Sequence, residues 1–167
     1  QIRPEEVSDF YLSNLKNAVH WTVKLVQIDL LCDHAISHPA SAFHTAMHLS
    51  NLLSVSEHRP VRQYAGLRLL EVCGLLTVSQ INEITIDLLR ELESGQDQIS
   101  RFIPPYLGQI ICMLPEKELL EAVELLENLL QGDSVRPART ALFTLGEILN
   151  ATVGHPTLPR RVLGAVM

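Results

Sequence analysis

The chain is poor in aromatic side chains and in charge. Aromatic residues make up 5% and charged residues 19% of its 167 residues, whereas apolar residues make up 47%. Soluble globular domains usually carry about a quarter charged residues. A Leu-rich composition of this kind suits tightly packed helices that cover one another, and the length predicts a single domain over 1–167.

Paired cysteines and long apolar runs are also missing. Cys32, Cys73 and Cys112 are scattered without a C-x-x-C pair, which indicates reduced core thiols in a cytoplasmic protein rather than a disulfide framework. No apolar run reaches the length of about 18 residues that a membrane span needs. The polar, acidic start does not fit a signal peptide, and because it opens with Gln1 we expect a piece of a longer chain.

Positive charge and catalytic motifs are scarce as well. The net charge of −6 argues against nucleic acid as a partner, since phosphate contacts need clustered Lys and Arg. The sequence has no G-x-S-x-G elbow, no phosphate-binding Gly loop and no G-x-G-x-x-G. It therefore indicates no catalytic residue and no cofactor, and we predict a non-catalytic chain whose neighbouring domains could hold any chemistry.

What the sequence does contain is a repeated pattern. Its first copy begins at Leu88-Leu89 and ends at Leu107-Gly108, and its second runs from Leu125-Leu126 to Leu145-Gly146, an offset of 37 to 38 residues. A fixed period between about 20 and 50 residues is typical of stacked repeats. No segment alternates apolar and polar residues for long, so we predict an all-α fold without a sheet.

Helix-period apolar residues and turn signals divide the chain into about four helical hairpins. We place these at about 4–37, 41–76, 79–113 and 115–152, with 156–167 as a tail or the start of another helix. The sequence does not show where the first two helices divide.

Two adjacent prolines interrupt the third hairpin. Pro104-Pro105 removes backbone donors and clashes with a preceding helical turn. We therefore expect a short helical turn beginning near Gln98, followed by a kink or a new start near Pro104.

The fourth hairpin resembles HEAT or armadillo-type repeats. The residues that carry the resemblance are Leu125-Leu126, Leu129-Leu130, Gly132-Asp133, Val135-Arg136, Ala138, Ala141 and Leu145-Gly146. Pro60-Val61-Arg62 with Ala65 repeats part of this pattern, whereas the Pro104-Pro105 hairpin departs from it. The resemblance implies a right-handed α–α superhelix of about four hairpins, whose second helices form a concave binding surface.

Four arginines are the candidate partner-binding residues. Arg101 and Arg139 occupy equivalent repeat positions, and Arg62 and Arg136 lie near the starts of their helices. They fit two interpretations: structural pairing with acids or carbonyls of an adjacent repeat, or a basic ladder that grips an acidic peptide along a groove.

Four histidines form the only clustered set of potential metal ligands. They are His34, His38, His44 and His48, and the last two are four residues apart on one helical face. Zinc would need a third ligand from elsewhere, and the H-E-x-x-H pattern is absent. We predict no metal, and keep a metal-dependent helical hydrolase as an alternative.

An acidic helix follows Pro115. Its five glutamates, Glu116, Glu118, Glu121, Glu124 and Glu127, fit a solvated outer face or a docking surface for a basic partner.

From these patterns we predict a protein–protein interaction scaffold that binds a protein partner on its concave face. The partner would be an acidic peptide or a neighbouring domain of the same chain. The alternative is a regulatory or substrate-positioning module of a large multidomain enzyme. The sequence does not specify the oligomeric state.

Overall fold

The computed structural model describes residues 3–18, 20–94 and 101–152, and these form helices and turns without a strand. The expected all-α class is therefore confirmed for this part of the chain. The helices are α1 Pro4–Asn17, α2 Trp21–Ser37, α3 Ala42–Val55, α4 Arg59–Cys73, α5 Val78–Ser94, α6 Pro104–Ile111, α7 Glu116–Leu130 and α8 Val135–Ala151, with a short 3₁₀ turn at Pro39–Ser41. Within these ranges no helix combines the length and the apolar character needed to cross a membrane.

The chain divides into two compact units, Gln1–Thr77 and Val78–Met167. The sequence places most of the net charge in the second unit. The first unit has seven acidic and six basic residues, and the second has twelve acidic and seven basic residues.

The first unit contains two helix pairs in chain order. α1 contacts α2 and α3 contacts α4, while α2 also packs along α4. Fully buried aliphatic residues from these helices fill the space between them, chiefly Leu15, Ile28, Leu31, Leu49, Leu53 and Leu69. Burial of a Leu or Ile side chain contributes about 1.5–3 kcal/mol, so this core stabilises the helix packing.

The break between α1 and α2, which the sequence left open, falls between Asn17 and Trp21. His20 occupies the N-cap of α2, and its Nδ1 accepts a hydrogen bond from the backbone N–H of Thr22 at 3.3 Å. This bond satisfies one of the free donors at the start of the helix.

In the second unit, α6 packs closely along α8, and α7 forms a pair with α8. Pro104 and Pro105 lie in the first turn of α6, where a proline nitrogen needs no hydrogen-bond partner. The prolines thus mark the start of a helix. The short turn expected from Gln98 and the tail or further helix expected at 156–167 lie outside the described residues.

Gly108 allows the backbones of α6 and α8 to pack close together. A Cβ atom at this position would lie 2.5 Å from the Cβ of Glu147, which is too close for any side chain. The repeat-equivalent Gly146 differs, because a Cβ atom there would have no neighbour within 4 Å. The same residue type therefore has a packing role in α6 and none of this kind in α8.

Alanine substitutions at the two glycines should have opposite effects. We expect Gly108→Ala to lower the free energy of unfolding by about 1–3 kcal/mol, the usual cost of overpacking. Gly146→Ala should raise it by about 0.5–1 kcal/mol, because alanine is the better helix former. Chemical denaturation of both variants checks this, and a stable Gly108→Ala protein would contradict the close helix approach.

Candidate functional site

A surface groove of the second unit lies between the start of α6 and the outer side of α8. We call it the α6–α8 groove; its volume is about 520 Å³, and it is lined by Arg101, Pro104, Pro105, Leu142, Phe143, Gly146, Glu147, Leu149 and Asn150. Leu142 and Phe143 are 40% and 54% exposed. The groove thus offers adjacent apolar side chains to solvent, a feature of ligand and partner sites.

Two of the four candidate arginines belong to this region. Arg101 lines the groove, and its guanidinium carbon lies 5.1 Å from the centroid of the Phe102 ring. Arg139 is exposed and precedes Phe143 by four residues, which places both on the same face of α8. A cation over an aromatic ring is held by the ring quadrupole, so Arg101 has a defined position.

The other two arginines are used inside the fold. Arg62 is only 6% exposed, and its Nε donates a hydrogen bond to the carbonyl oxygen of Ser56 before α4. Arg136 is half-buried, and its Nη2 donates to the carbonyl oxygen of Glu93 at 3.4 Å. Arg62 stabilises the turn between α3 and α4, and Arg136 joins the first turn of α8 to the last turn of α5. The Arg136 contact matches the structural interpretation, because Glu93 lies in the preceding hairpin, whereas the Arg62 contact lies within its own hairpin.

The four candidate histidines are divided between two places in the first unit. His34 and His38 stack at the end of α2 with ring centroids 4.5 Å apart, and His34 Nε2 lies 2.9 Å from the carbonyl oxygen of Pro4. This last contact indicates a donating Nε2–H that ties α2 to the start of α1. His34 therefore has a structural partner.

The other two histidines lie on α3. His44 is exposed, with Nε2 3.8 Å from Asp9 Oδ1. His48 Nε2 is buried without a hydrogen-bond partner. Burial, together with the nearby charges of Lys16 and His44, lowers the pKa of His48 from 6.5 to about 4. In the described ranges, no three His, Cys, Asp or Glu side chains converge to hold a metal ion.

A charged cluster that the sequence analysis missed joins α2 to α4. Arg68 Nη2 lies 2.9 Å from Asp33, its Nη1 lies 3.1 Å from Glu71, and its Nε lies 3.9 Å from Asp29. Tyr64 donates a hydrogen bond to Asp29. This bond, with burial, raises the pKa of Tyr64 to about 12.

Cys32 lies beside this cluster and does not supply a nucleophile. Burial raises the pKa of its thiol to about 11, despite the opposing effect of Arg68. The thiolate is the reactive form of cysteine, and a thiol with so high a pKa stays protonated at neutral pH. The cluster therefore serves to hold two helices together.

The sequence spacing of several residues in the charged cluster indicates that they share helical faces. Asp29 and Asp33 are four residues apart, as are Tyr64 and Arg68, so each pair shares a helical face. What the sequence could not show is that the two faces meet. Phe143 and Leu142 were missed because exposed apolar residues in a Leu-rich helix look like core residues until the packing is known.

Comparison of the chain with models of protein families, with curated proteins and with solved structures finds no match.

The buried His48 predicts a pH dependence of stability. Because its pKa is lower in the folded protein, the unfolded chain binds more protons between about pH 4 and 6.5. The contribution of His48 to the free energy of unfolding should therefore be most favourable above pH 6.5. It should become less favourable as the pH decreases towards 4. Denaturation curves of the His48→Leu variant should show that its free energy of unfolding falls less between pH 6.5 and 4 than that of the unsubstituted protein.

His58 provides the control. It is exposed, so His58→Gln removes one histidine and leaves His48 in place. We expect the free energy of unfolding of this variant to fall between pH 6.5 and 4 as much as that of the unsubstituted protein. Equal behaviour of the two variants would refute the assignment to His48.

Proposed function

We propose that the chain is a non-catalytic protein-binding module that captures an acidic, partly apolar peptide in the α6–α8 groove. The observation that carries the proposal is that exposed apolar side chains and Arg101 line one groove, with Arg139 one helical turn from Phe143. A partner could be a separate protein or a neighbouring domain of the same chain.

Apolar contact is the first source of affinity. Phe143 and Leu142 project from α8 beside the two prolines that start α6. Gly146 adds an open stretch of helix backbone, since no atom lies within 4 Å of the position of a Cβ atom. Aromatic side chains with apolar neighbours are frequent anchors in protein interfaces.

Charge is the second source of binding affinity, and it favours an acidic partner. Arg101 lines the groove and Arg139 lies one helical turn from Phe143, whereas Glu147 is the one carboxylate among the lining residues. An arginine guanidinium can bind a carboxylate through two parallel hydrogen bonds. An acidic peptide therefore fits this groove better than a basic one.

We also propose that the helix pairs follow the right-handed superhelical arrangement of HEAT-like repeats. Two findings support it: the repeat offset of 37 to 38 residues, and the packing of second helices in each unit, α2 along α4 and α6 along α8. In such a solenoid the second helices line the concave face, where partners bind.

Selection of peptides from a displayed random library against the chain tests the binding proposal. We expect the enriched peptides to combine Asp or Glu with large apolar residues. The double variant Arg101→Glu/Arg139→Glu should weaken their binding about tenfold or more, a change of about 1.4 kcal/mol. Phe143→Ala should weaken it similarly by removing the apolar anchor, as fluorescence anisotropy with a labelled peptide would show.

Lys117→Glu serves as the matched control because it reverses an exposed charge in the same unit outside the groove. Its affinity should stay within about twofold of the unsubstituted protein. Peptides that bind the groove variants and the unsubstituted protein equally well would refute the proposed site.

A further inference from the structure

A second groove in the same unit lies between α5 and α7. We call it the α5–α7 groove; it has a volume of about 310 Å³. Leu89 and Leu129 form its apolar floor, and Ile86 and Leu125, which are 36% and 48% exposed, form its walls. The exposed side chains come from two different helices, so they line a strip of apolar surface between them.

The helices that form this groove are strongly acidic. α5 and α7 together contain nine acidic and two basic residues. Their formal net charge is therefore −7, which exceeds the net charge of −6 of the whole chain. Negative charge on the two helices that border an apolar cleft raises the local concentration of cationic groups near it.

Individual carboxylates can be placed beside the apolar strip. Glu93 lines the groove directly. Glu121 and Glu118 precede Leu125 by four and seven residues, so both lie on the groove face of α7. They therefore extend the acidic border beyond the cavity itself.

The polar side chains of the groove include one cation. Arg90 lines it together with Asn128, and Arg90 Nη1 lies 3.5 Å from Asp87 Oδ1. Lys117 is the other cation of the two helices and precedes Glu121 by four residues. The nine carboxylates outnumber these two cations, so the region around the groove is acidic.

We propose that the α5–α7 groove docks a basic amphipathic helix. The apolar strip between two helices would hold side chains spaced at i, i+3 or i+4, and i+7, as in known helix-in-groove complexes. Lys and Arg on the flanks of that helix would face Glu93 at one wall and Glu118 and Glu121 at the other. This surface differs in position and charge preference from the α6–α8 groove, so the two proposals can fail independently.

A designed peptide of Leu and Lys in an amphipathic helical pattern is a direct probe. We expect saturable binding to the full chain by fluorescence anisotropy. A scrambled peptide of the same composition and a Leu/Glu peptide of the same pattern should each bind at least tenfold more weakly. Higher salt should reduce the affinity without abolishing it, because the apolar contacts are not screened.

Two variants locate the site. Glu118→Gln/Glu121→Gln should weaken binding about threefold to tenfold, and Leu125→Ser should weaken it about tenfold. The matched control is Glu5→Gln/Glu57→Gln, which removes two exposed carboxylates from the first unit and should change the affinity less than twofold. All five substituted positions are exposed or partly exposed, so circular dichroism should show an unchanged helical fold.

Three results would overturn this docking surface: no saturable binding of the Leu/Lys peptide, equal binding of its scrambled form, or equal weakening by both double variants. The Arg101→Glu/Arg139→Glu protein separates the two grooves. It should bind the Leu/Lys peptide with unchanged affinity, whatever the result for acidic peptides.

Discussion

The close approach of α6 to α8 is the contact on which the second unit depends. It is possible because Gly108 has no side chain where the Cβ of Glu147 lies. With the two backbones this near, Leu107 and Ile110 on α6 and Ile148 on α8 become fully buried. The same approach places Leu142 and Phe143 on the side of α8 that faces outward, and so it defines the α6–α8 groove.

The charges of the second unit are distributed unevenly among its helices, and for this reason the two proposed docking surfaces differ in charge. The glutamates are concentrated on α5 and α7, whereas Arg101 and Arg139 lie at the start of α6 and on α8. Under the two proposals, one unit would bind an acidic peptide and a basic helix at separate grooves. The first unit, with nearly balanced charge, has instead an internal ion-pair cluster around Arg68.

Local patterns predicted the secondary structure well because they depend on neighbours in sequence. The apolar periodicity predicted the all-α class, and the described residues are helical. Pro104-Pro105 gave a helix start or a kink, and the structure shows a start. The position of the break before Trp21 depends on a histidine cap, which has only a weak sequence signal.

The candidate site was harder to predict because it depends on which helix faces meet. Arg62 and Arg101 were both candidate partner-binding residues, yet Arg62 is buried against a turn and Arg101 lines a groove. The repeat offset identified Arg101 and Arg139 together, and they do lie on the outer surface. It could not identify Phe143 as exposed, since exposure follows from the packing of α6.

The shortness of α6 has a consequence for cooperativity. With eight residues it is well below the length of about 12–15 residues at which isolated helices become even marginally stable in water. Its two initial prolines also lack backbone N–H groups. The helix therefore exists because α8 covers it, and its amide hydrogens should exchange with solvent through the same opening event as the facing amides of α8. A ligand that holds α8 in place would slow exchange in α6 as well, although most of its contacts would be with the other helix.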